Sequence, residues 1–390
     1  MSDSTRLPLG VKELALGATA TLAIVQLVTP MDPIGKCWTL LRQLSRHERK
    51  LKSSSSVKSG IERYLALHEG EAAEERNAEY KTLVDSYYDL STLFYEWGWG
   101  ASFHFAYRYC FESFAESIRR HEYYLASKLG LYGPRNSRHV LDVGCGIGGP
   151  LRNISRFTGM SVTGLTLNQY QVDRGNELCQ ADPVVASTSR LVQGDFMAMP
   201  FPDLNFDAAY AIEATCHAPD RVGVYSEVFR VLKPGAVFAL YEWCMTDAYI
   251  PGNPKHESSK KKIEQGDGLP DIVHTSVCLQ AMKDAGFEIL EERDLVNDPI
   301  GPRGKVWHLP LLPSWNPLTQ RFQFNWLGFR MTNFALQFLE LFYLAPAGTY
   351  KTQQMLQTGG FGLGEGGNSK IFTPMYLMVG RVPLEKPSIQ

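Results

Sequence analysis

The sequence predicts an α/β fold in which a mainly parallel β-sheet carries helices between its strands. The first observation is that short apolar runs alternate with helical segments from Arg138 onward, as in parallel sheets. The second is Val140–Pro150, in which an apolar strand runs into a glycine-rich turn and then a helix. With 390 residues, the chain has enough material for such a domain and an accessory region.

The composition excludes several classes of protein. A hydrophobic fraction of 44% and a charged fraction of 21% are incompatible with a disordered or fibrous chain. The net charge is −2, so no overall positive field attracts a phosphate backbone, and we expect no nucleic-acid partner. The seven cysteines are scattered without a C-x-x-C pair, which predicts a reducing compartment and no metal site.

Residues 1–57 are predicted to be an apolar segment followed by a linker. Leu14–Met31 is uncharged, and its 18 residues barely reach the length that spans a bilayer. A membrane span, an interfacial helix and a buried helix therefore all remain open, whereas the charges of Lys12 and Glu13 beside the run argue against a cleaved signal peptide. Arg42–Lys58 is basic and then Ser-rich, a linker composition that also suits attraction to anionic lipid.

Three further regions follow along the chain. Residues 58–135 are predicted to be helical and aromatic-rich, because the acidic, helix-like segment Glu62–Arg76 leads into the aromatic block Tyr87–Tyr107. Residues 136–297 contain most of the predicted strands. Residues 298–390 depart from the alternation and are predicted to form a C-terminal cap that ends in a final strand.

The elements of the sheet region are predicted from apolar runs and from the residues that interrupt them. A helix begins near Asp220 and ends before Lys233–Gly235, since Pro and Gly do not continue a helix. In the cap, we expect an aromatic helix at Phe324–Tyr343 and a glycine-rich loop at Gly359–Gly367. The predicted strands are His139–Val143, Ser161–Leu165, Leu191–Gln193, Phe206–Ile212, Ala236–Trp243, Phe287–Leu295 and Ile371–Val382.

The glycine turn after the first strand predicts a ligand site. Gly144, Gly146 and Gly149 match the G-x-G-x-x-G pattern, so a dinucleotide must be considered. Asp142, however, lies inside the strand, and the second strand runs into Gly164–Asn168 without the acid that binds a nucleotide ribose. A carboxylate beside the turn suits a cationic ligand. We therefore predict S-adenosylmethionine as the cofactor, with a dinucleotide as the alternative.

The predicted cofactor contacts lie where strands end, because ligands of open α/β sheets bind at the carboxyl ends of the strands. Asp142 is expected at the amino-acid end of the cofactor. Leu167, Asn168 and Gln171 are expected near the ribose hydroxyls, and Gly194, Asp195 and Phe196 near the adenine; alternatively, Asp195 caps a turn and Phe196 belongs to the core. The full predicted set is Asp142, Gly144, Cys145, Gly146, Leu167, Asn168, Gln171, Gly194, Asp195, Phe196 and Ile212.

Eight segments together resemble the sterol 24-C-methyltransferases. They are Tyr95–Gly100, Ser102–Ala106, Arg120–Glu122, Leu141–Pro150, Gly194–Met197, Ala211–Pro219, Tyr241–Trp243 and Ile371–Tyr376, and the resemblance covers residues 58–382. It implies a class I methyltransferase with a Rossmann-like sheet, a sterol-binding region at residues 58–135 and a substrate cap at residues 298–390. Glu242–Asp247 and Gly266–Ile272 look most like the green-plant and algal branch, for which the resemblance implies cycloartenol as the acceptor.

The resemblance implies transfer of a methyl group from S-adenosylmethionine to carbon 24 of a sterol side-chain alkene, through a carbocation. Aromatic faces suit a cation, which each ring attracts by roughly 0.5–2 kcal/mol. The candidate substrate contacts are Tyr95, Trp97, Trp99, Phe103, Phe105 and Tyr241. The candidate catalytic groups are Glu213 as electrostatic stabiliser, His217 or His121–Glu122 for the final proton transfer, Glu96 for the sterol hydroxyl or for charge balance, and Asp271 as a secondary candidate.

Two other functions are compatible with the sequence. One is a methyltransferase that acts on another lipid or small molecule, and the other is a non-catalytic lipid-binding protein with the same fold. For the enzyme, we expect association with the endoplasmic reticulum membrane, with the catalytic domain facing the cytoplasm. The sequence leaves open whether the chain forms a homo-oligomer.

Overall fold

A computed structural model describes residues 57–69, 73–297, 305–312, 326–343, 345 and 347–385. The apolar segment Leu14–Met31 and the linker up to residue 56 lie outside these described residues. The chain divides into two compact units. One comprises residues 57–312 and 348–390, so the predicted helical region and sheet region belong to the same unit; the other contributes a single described helix, Trp326–Leu341.

The described helices and strands follow the predicted alternation. The helices are α1 (Val57–Glu69), α2 (Ala73–Ala78), α3 (Tyr80–Gly98), α4 (Phe114–Lys128), α5 (Gly149–Thr158), α6 (Gln169–Gln180), α7 (Arg221–Val231), α8 (Pro254–Asp267), α9 (Thr275–Asp284), α10 (Trp326–Leu341) and α11 (Thr349–Asn368). The strands are β1 (His139–Val143), β2 (Ser161–Thr166), β3 (Ser189–Gln193), β4 (Phe206–Ile212), β5 (Leu232–Met245), β6 (Glu288–Asp294) and β7 (Phe372–Arg381).

The strands form a seven-stranded sheet in the order β3-β2-β1-β4-β5-β7-β6. The strands from β3 to β5 are mutually parallel, and β7 is antiparallel to both of its neighbours. The predicted mainly parallel α/β sheet is therefore confirmed. The central strands β1 and β4 are buried along nearly their whole length, as expected where helices cover both faces of a sheet.

The helices begin and end where local chemistry predicts. The side chain of Asp220 caps α7 by accepting a hydrogen bond from the backbone N–H of Val222, and the helix ends at Val231, ahead of Lys233–Gly235. Pro150 lies in the first turn of α5, where its missing N–H costs little. No described helix is both long enough and apolar enough to cross a membrane.

The prediction of a glycine-rich loop at Gly359–Gly367 is wrong, because these residues lie within helix α11. Each glycine inside a helix costs about 1 kcal/mol relative to alanine. Here the glycines allow close packing against α8: a Cβ atom built on Gly266 would lie 2.1 Å from the Cα atom of Gly359. The glycines of this segment let two helices pack closely together. From the sequence alone, a glycine-rich helix of this kind cannot be distinguished from a flexible loop.

Candidate active site

The glycine turn between β1 and α5 forms the floor of a pocket at the carboxyl ends of the parallel strands. Gly144 (φ +75°) and Gly146 (φ +53°) adopt left-handed backbone conformations that favour glycine. A Cβ atom on Gly144 would lie 2.4 Å from the Cβ atom of Ala214, so no larger residue fits there. The backbone N–H groups of Gly144 and Cys145 donate to the Leu165 carbonyl at 2.8 and 3.0 Å, which fixes the turn against β2.

Much of the predicted site lines this pocket. The predicted residues in the lining are Asp142, Gly144, Cys145, Gly146, Leu167, Asn168, Gln171, Phe196, Ile212, Glu213, His217 and Phe103. The other lining residues are Val84, Tyr88, Ala101, His104, Pro150, Thr166 and Ala214. The structure therefore brings the glycine turn, the end of β4 and helix α3 together around one space.

Asp142 supplies the first carboxyl group of the pocket. Its side chain is buried near the end of β1, and Oδ2 accepts a hydrogen bond from the Tyr210 hydroxyl at 2.9 Å. Burial raises the pKa of Asp142 to about 7, because the charged form loses solvation. A cationic ligand group beside Asp142 would restore the ionised form, so this carboxyl suits an ammonium group.

Glu213 supplies the second carboxyl group, directly after β4. Its backbone is left-handed (φ +53°), a conformation that costs a non-glycine residue energy and is held here by fixed contacts. Oε1 accepts from the Phe105 backbone N–H and Oε2 from Trp243 Nε1, both at 2.8 Å. Burial raises the pKa of Glu213 to about 8. The carboxyl is thus immobilised and ready to ionise when a positive charge enters.

His217 ends a short 3₁₀ turn, Thr215–His217, and contacts α3. Its Nδ1 lies 3.0 Å from the Gly268 carbonyl oxygen, and its Nε2 lies 2.9 Å from the Tyr88 hydroxyl. Burial lowers the pKa of His217 to about 4, so the ring is neutral at physiological pH.

His104 lines the pocket but was not predicted as a site residue, although it lies in Ser102–Ala106, one of the segments that resemble the family. Its Nε2 is 3.2 Å from Glu122 Oε1, and its Nδ1 is 2.9 Å from the Phe105 carbonyl. Burial opposes a charge on His104, but the hydrogen bond and negative charge of Glu122 outweigh it and raise the pKa. Glu122 also accepts from Ser102 and Asn153, each at 2.7 Å, so it lies behind His104 as a fully bonded partner.

The polar wall at the end of β2 combines predicted and unpredicted residues. Asn168 caps α6 by accepting from the Gln171 backbone N–H at 3.0 Å. Its Nδ2 donates to Asp85 at 2.8 Å and to Asp89 at 2.6 Å. Both aspartates come from α3, so tertiary packing brings two carboxyl groups beside Asn168.

Several predicted acids lie outside the pocket lining and hold salt bridges. These pairs are Glu96 with Arg174 (2.5 Å), Asp195 with Lys81 (2.8 Å) and Asp271 with Lys260 (2.5 Å). Asp195 also accepts the Met197 backbone N–H at 2.8 Å, the turn-capping contact weighed as its alternative role. Gly194 continues the same segment, and its N–H donates to the Thr166 carbonyl.

Most of the predicted aromatic contacts form a layer behind the pocket. Tyr95 contacts Phe103 with ring centroids 5.2 Å apart and donates to Asp267 at 3.3 Å. Trp99 packs on Phe105 at 5.1 Å. The buried rings of Tyr241 and His121 stack on each other at 4.0 Å, and the side chain of Trp97 lies outside the described part of the chain.

Of the predicted aromatic substrate contacts, Phe103 lines the pocket itself, while Tyr88 contributes a ring that was not predicted. A signal for Tyr88 existed in the sequence: Val84, Tyr88 and Tyr95 recur at helical spacing along α3. The aromatic block alone does not show which face of α3 is buried, and therefore does not show that Tyr88 lines the pocket.

These features fit S-adenosylmethionine. Its ammonium and sulfonium groups are cations, and the pocket presents two buried carboxyl groups, Asp142 and Glu213, together with a turn that excludes any Cβ at Gly144. The negatively charged pyrophosphate of a dinucleotide would instead be repelled by these two carboxyl groups. The fold and the site define a class I, S-adenosylmethionine-dependent methyltransferase, as the sequence predicted.

Comparison with known proteins gives the family. Residues 141–240 match the family described as "Methyltransferase domain", and residues 319–384 match "Sterol methyltransferase C-terminal". Cycloartenol-C-24-methyltransferase from Arabidopsis thaliana is 50% identical over 331 residues, which cover 84% of this chain and 96% of the relative. Sterol 24-C-methyltransferase from Saccharomyces cerevisiae is 43% identical over 370 residues, covering 92% and 93%. The chain belongs to the sterol 24-C-methyltransferase family, which confirms the resemblance.

Solved structures agree on the fold. The [4+2]-cyclase SpnF covers 78% of this chain and 97% of its own, with a TM-score of 0.56 and 21% identity. The mycolic acid cyclopropane synthase CmaA1 covers 77% and 98%, with a TM-score of 0.55 and 17% identity. At these identities the likeness concerns the architecture alone.

Proposed function

We propose that this chain transfers a methyl group from S-adenosylmethionine to carbon 24 of a sterol side chain, with cycloartenol as the preferred acceptor. The observation that carries the proposal is one pocket in which two buried carboxyl groups face aromatic rings. Asp142 and Glu213 supply the carboxyls, and Tyr88, Phe103 and Phe196 the rings. Two of the relatives, from Arabidopsis thaliana and rice, are named cycloartenol-C-24-methyltransferases and support the choice of acceptor.

S-adenosylmethionine supplies an electrophilic methyl group on a positively charged sulfur. The residues of the chain then have three tasks. The glycine turn and Asp142 would hold the cofactor. Phe103 and Tyr88 would exclude water and present aromatic faces to the acceptor, and Glu213 would offer negative charge as the carbocation forms. The alkene electron pair would form the new carbon–carbon bond to the methyl carbon as the sulfur–methyl bond breaks and its electron pair returns to sulfur. Loss of a proton from a carbon next to the cation would then form the product double bond.

The test is incubation of the purified chain with labelled S-adenosylmethionine and a panel of sterols that includes cycloartenol, with the products identified by mass spectrometry. We expect label at carbon 24 of cycloartenol. Label on a different lipid or small molecule would reassign the acceptor. Cofactor binding without transfer to any acceptor would point to a non-catalytic lipid-binding protein.

We also propose that the protein works at the endoplasmic reticulum membrane, with its catalytic domain on the cytoplasmic side. The support is the unit that contains α10, where large apolar side chains are exposed. Phe334 is 73% exposed and Leu341 is 72% exposed. A sterol acceptor dissolves in the bilayer, and exposed apolar side chains of this kind gain free energy by entering its interface.

Vesicle flotation tests the membrane proposal. Phe334→Glu combined with Leu341→Glu should reduce co-flotation with phospholipid vesicles, since charged side chains do not enter the apolar layer. Tyr132→Glu is the matched control, because Tyr132 is 81% exposed in the other unit. Equal flotation of all three proteins would assign membrane binding to another part of the chain, and fractionation of cells would test the compartment.

A further inference from the structure

Tyr88 and His217 form a hydrogen-bonded pair in the wall of the pocket. The Gly268 carbonyl can only accept, so His217 Nδ1 carries the ring hydrogen and donates it at 3.0 Å. In a neutral ring, Nε2 then has a lone pair, and the Tyr88 hydroxyl donates to it at 2.9 Å. The tautomer of His217 and the direction of the Tyr88 hydrogen bond are therefore both set by one backbone carbonyl.

In this arrangement His217 has no free lone pair with which to take a proton directly from a carbon atom of the substrate. Its Nε2 lone pair is already occupied by the Tyr88 hydroxyl, whereas the Tyr88 oxygen keeps lone pairs of its own. Tyr88 is also held firmly: its ring meets Tyr87 edge-on at 5.1 Å and His217 at 5.4 Å. A proton that leaves the substrate in this part of the pocket meets the Tyr88 oxygen.

His104 and His121 lack this arrangement of a basic ring nitrogen bonded to a hydroxyl group. Both nitrogens of His104 face atoms that only accept hydrogen bonds, the Glu122 carboxylate and the Phe105 carbonyl, so both carry hydrogen. His121 packs on Tyr241, outside the pocket lining. Among the histidines of the described pocket, His217 alone has a basic nitrogen in line with a hydroxyl.

We propose that Tyr88 is a catalytic residue that relays the final proton of the methyl transfer to His217. This proposal rests on the function proposed above. A C–H bond next to the cationic carbon breaks, its electron pair forms the product double bond, and the proton moves to the Tyr88 oxygen. The original hydroxyl proton of Tyr88 moves to His217 Nε2, while Nδ1 keeps its hydrogen on Gly268. The imidazolium of His217 then releases its proton to solvent as product leaves.

The experiment compares Tyr88→Phe with Tyr64→Phe. The first substitution keeps the ring and removes the hydroxyl; the control removes a buried hydroxyl that donates to the Gln265 carbonyl at 2.6 Å, away from the pocket lining. Three quantities are measured: S-adenosylmethionine affinity by calorimetry, total methyl transfer to cycloartenol, and the distribution of sterol products. The ¹⁵N spectrum of His217 reports its tautomer independently of activity.

In Tyr88→Phe we expect near-normal cofactor affinity, a loss of the normal product of about 10²-fold, and new products of water capture or of proton loss from another carbon. The Nε2 resonance of His217 should shift, and Tyr64→Phe should change none of these quantities. An unchanged product distribution with turnover within threefold of the unsubstituted protein would overturn the relay and leave the proposed function intact.

A third outcome separates the two proposals. If the unsubstituted protein methylates no sterol, the proposed function fails and the relay fails with it. If Tyr88→Phe does not fold, as judged by circular dichroism, His217→Gln provides the second test, because removing the proton acceptor should divert the products in the same way. A normal product distribution in His217→Gln would reject the relay.

Discussion

Glu213→Gln should lower turnover far more than cofactor affinity. The carboxyl is 7% exposed and is fixed on both oxygens at 2.8 Å by Phe105 and Trp243. An ionised carboxylate about 5 Å from a carbocation attracts it by about 3 kcal/mol at an effective dielectric constant of about 20. Removing that charge should therefore slow the methyl-transfer step by about 10²-fold.

The same substitution has a structural cost that can be separated from the catalytic one. A carboxamide has one oxygen and one NH₂ group, so either the Phe105 N–H or the Trp243 Nε1–H must face a donor. One buried donor left unpaired costs about 1–3 kcal/mol in the free energy of unfolding. We expect the melting temperature to fall by a few degrees while the protein stays folded.

The assay is a single-turnover measurement of labelled methyl transfer at saturating S-adenosylmethionine, alongside calorimetric binding and thermal unfolding. Glu264→Gln is the control, since Glu264 is buried, pairs with Lys260 at 2.5 Å and lies outside the pocket lining. It should lose stability but keep its rate. If Glu213→Gln reacts within threefold of the unsubstituted protein, or loses only cofactor affinity, Glu213 does not stabilise the carbocation.

The remaining predictions concern protonation and packing. Burial raises the pKa of Asp142 to about 7, so binding of cationic S-adenosylmethionine at pH 7 should release roughly half a proton from this carboxyl. Calorimetry in buffers of different ionisation enthalpy measures that proton release. Asp142→Asn should abolish the release from this group and weaken cofactor affinity about 10–100-fold. Since the pKa of Glu213 is about 8, its charged form gains population as the pH rises, so kcat/KM should increase up to about pH 8; a profile that is flat there, or unchanged in Glu213→Gln, would contradict its role. Gly359→Ala should destabilise the protein by more than about 1 kcal/mol in chemical denaturation, because the new Cβ atom would lie 2.9 Å from the backbone of Gly266. Gly360→Ala is the control: its Cβ atom would have no neighbour within 4 Å, so it should stabilise the protein by about 0.5–1 kcal/mol. Equal effects of the two substitutions would argue against close packing of α8 on α11.

The strands and the glycine turn could be predicted because their signals are local. β1 and β4 have the predicted bounds, since each is a short, mostly apolar run that the sheet buries on both faces. The turn at Gly144 is equally local, because its backbone conformation depends on the residue type itself. The same holds for Asp220, whose capping contact reaches only two residues along the chain.

Side-chain partners were harder to assign because they depend on contacts between distant segments. Glu96 lies in a conspicuous aromatic motif, yet Arg174 on α6 pairs with it outside the pocket lining. His121 was a predicted candidate for proton transfer, yet it stacks on Tyr241 outside the pocket lining, whereas His104, which was not predicted, lines the pocket.

The amino-acid sequence by itself determined the α/β class, the cofactor loop and the family, because apolar periodicity, glycine positions and family motifs are properties of contiguous residues. Tertiary structure decided which side chains share the pocket. Helix α3 contributes Tyr88 to a site whose other residues lie up to 129 positions away, and Tyr88 pairs with His217 at that separation. Such pairings depend on which face of a helix is buried against the sheet, and that choice is made by the packing of the whole core.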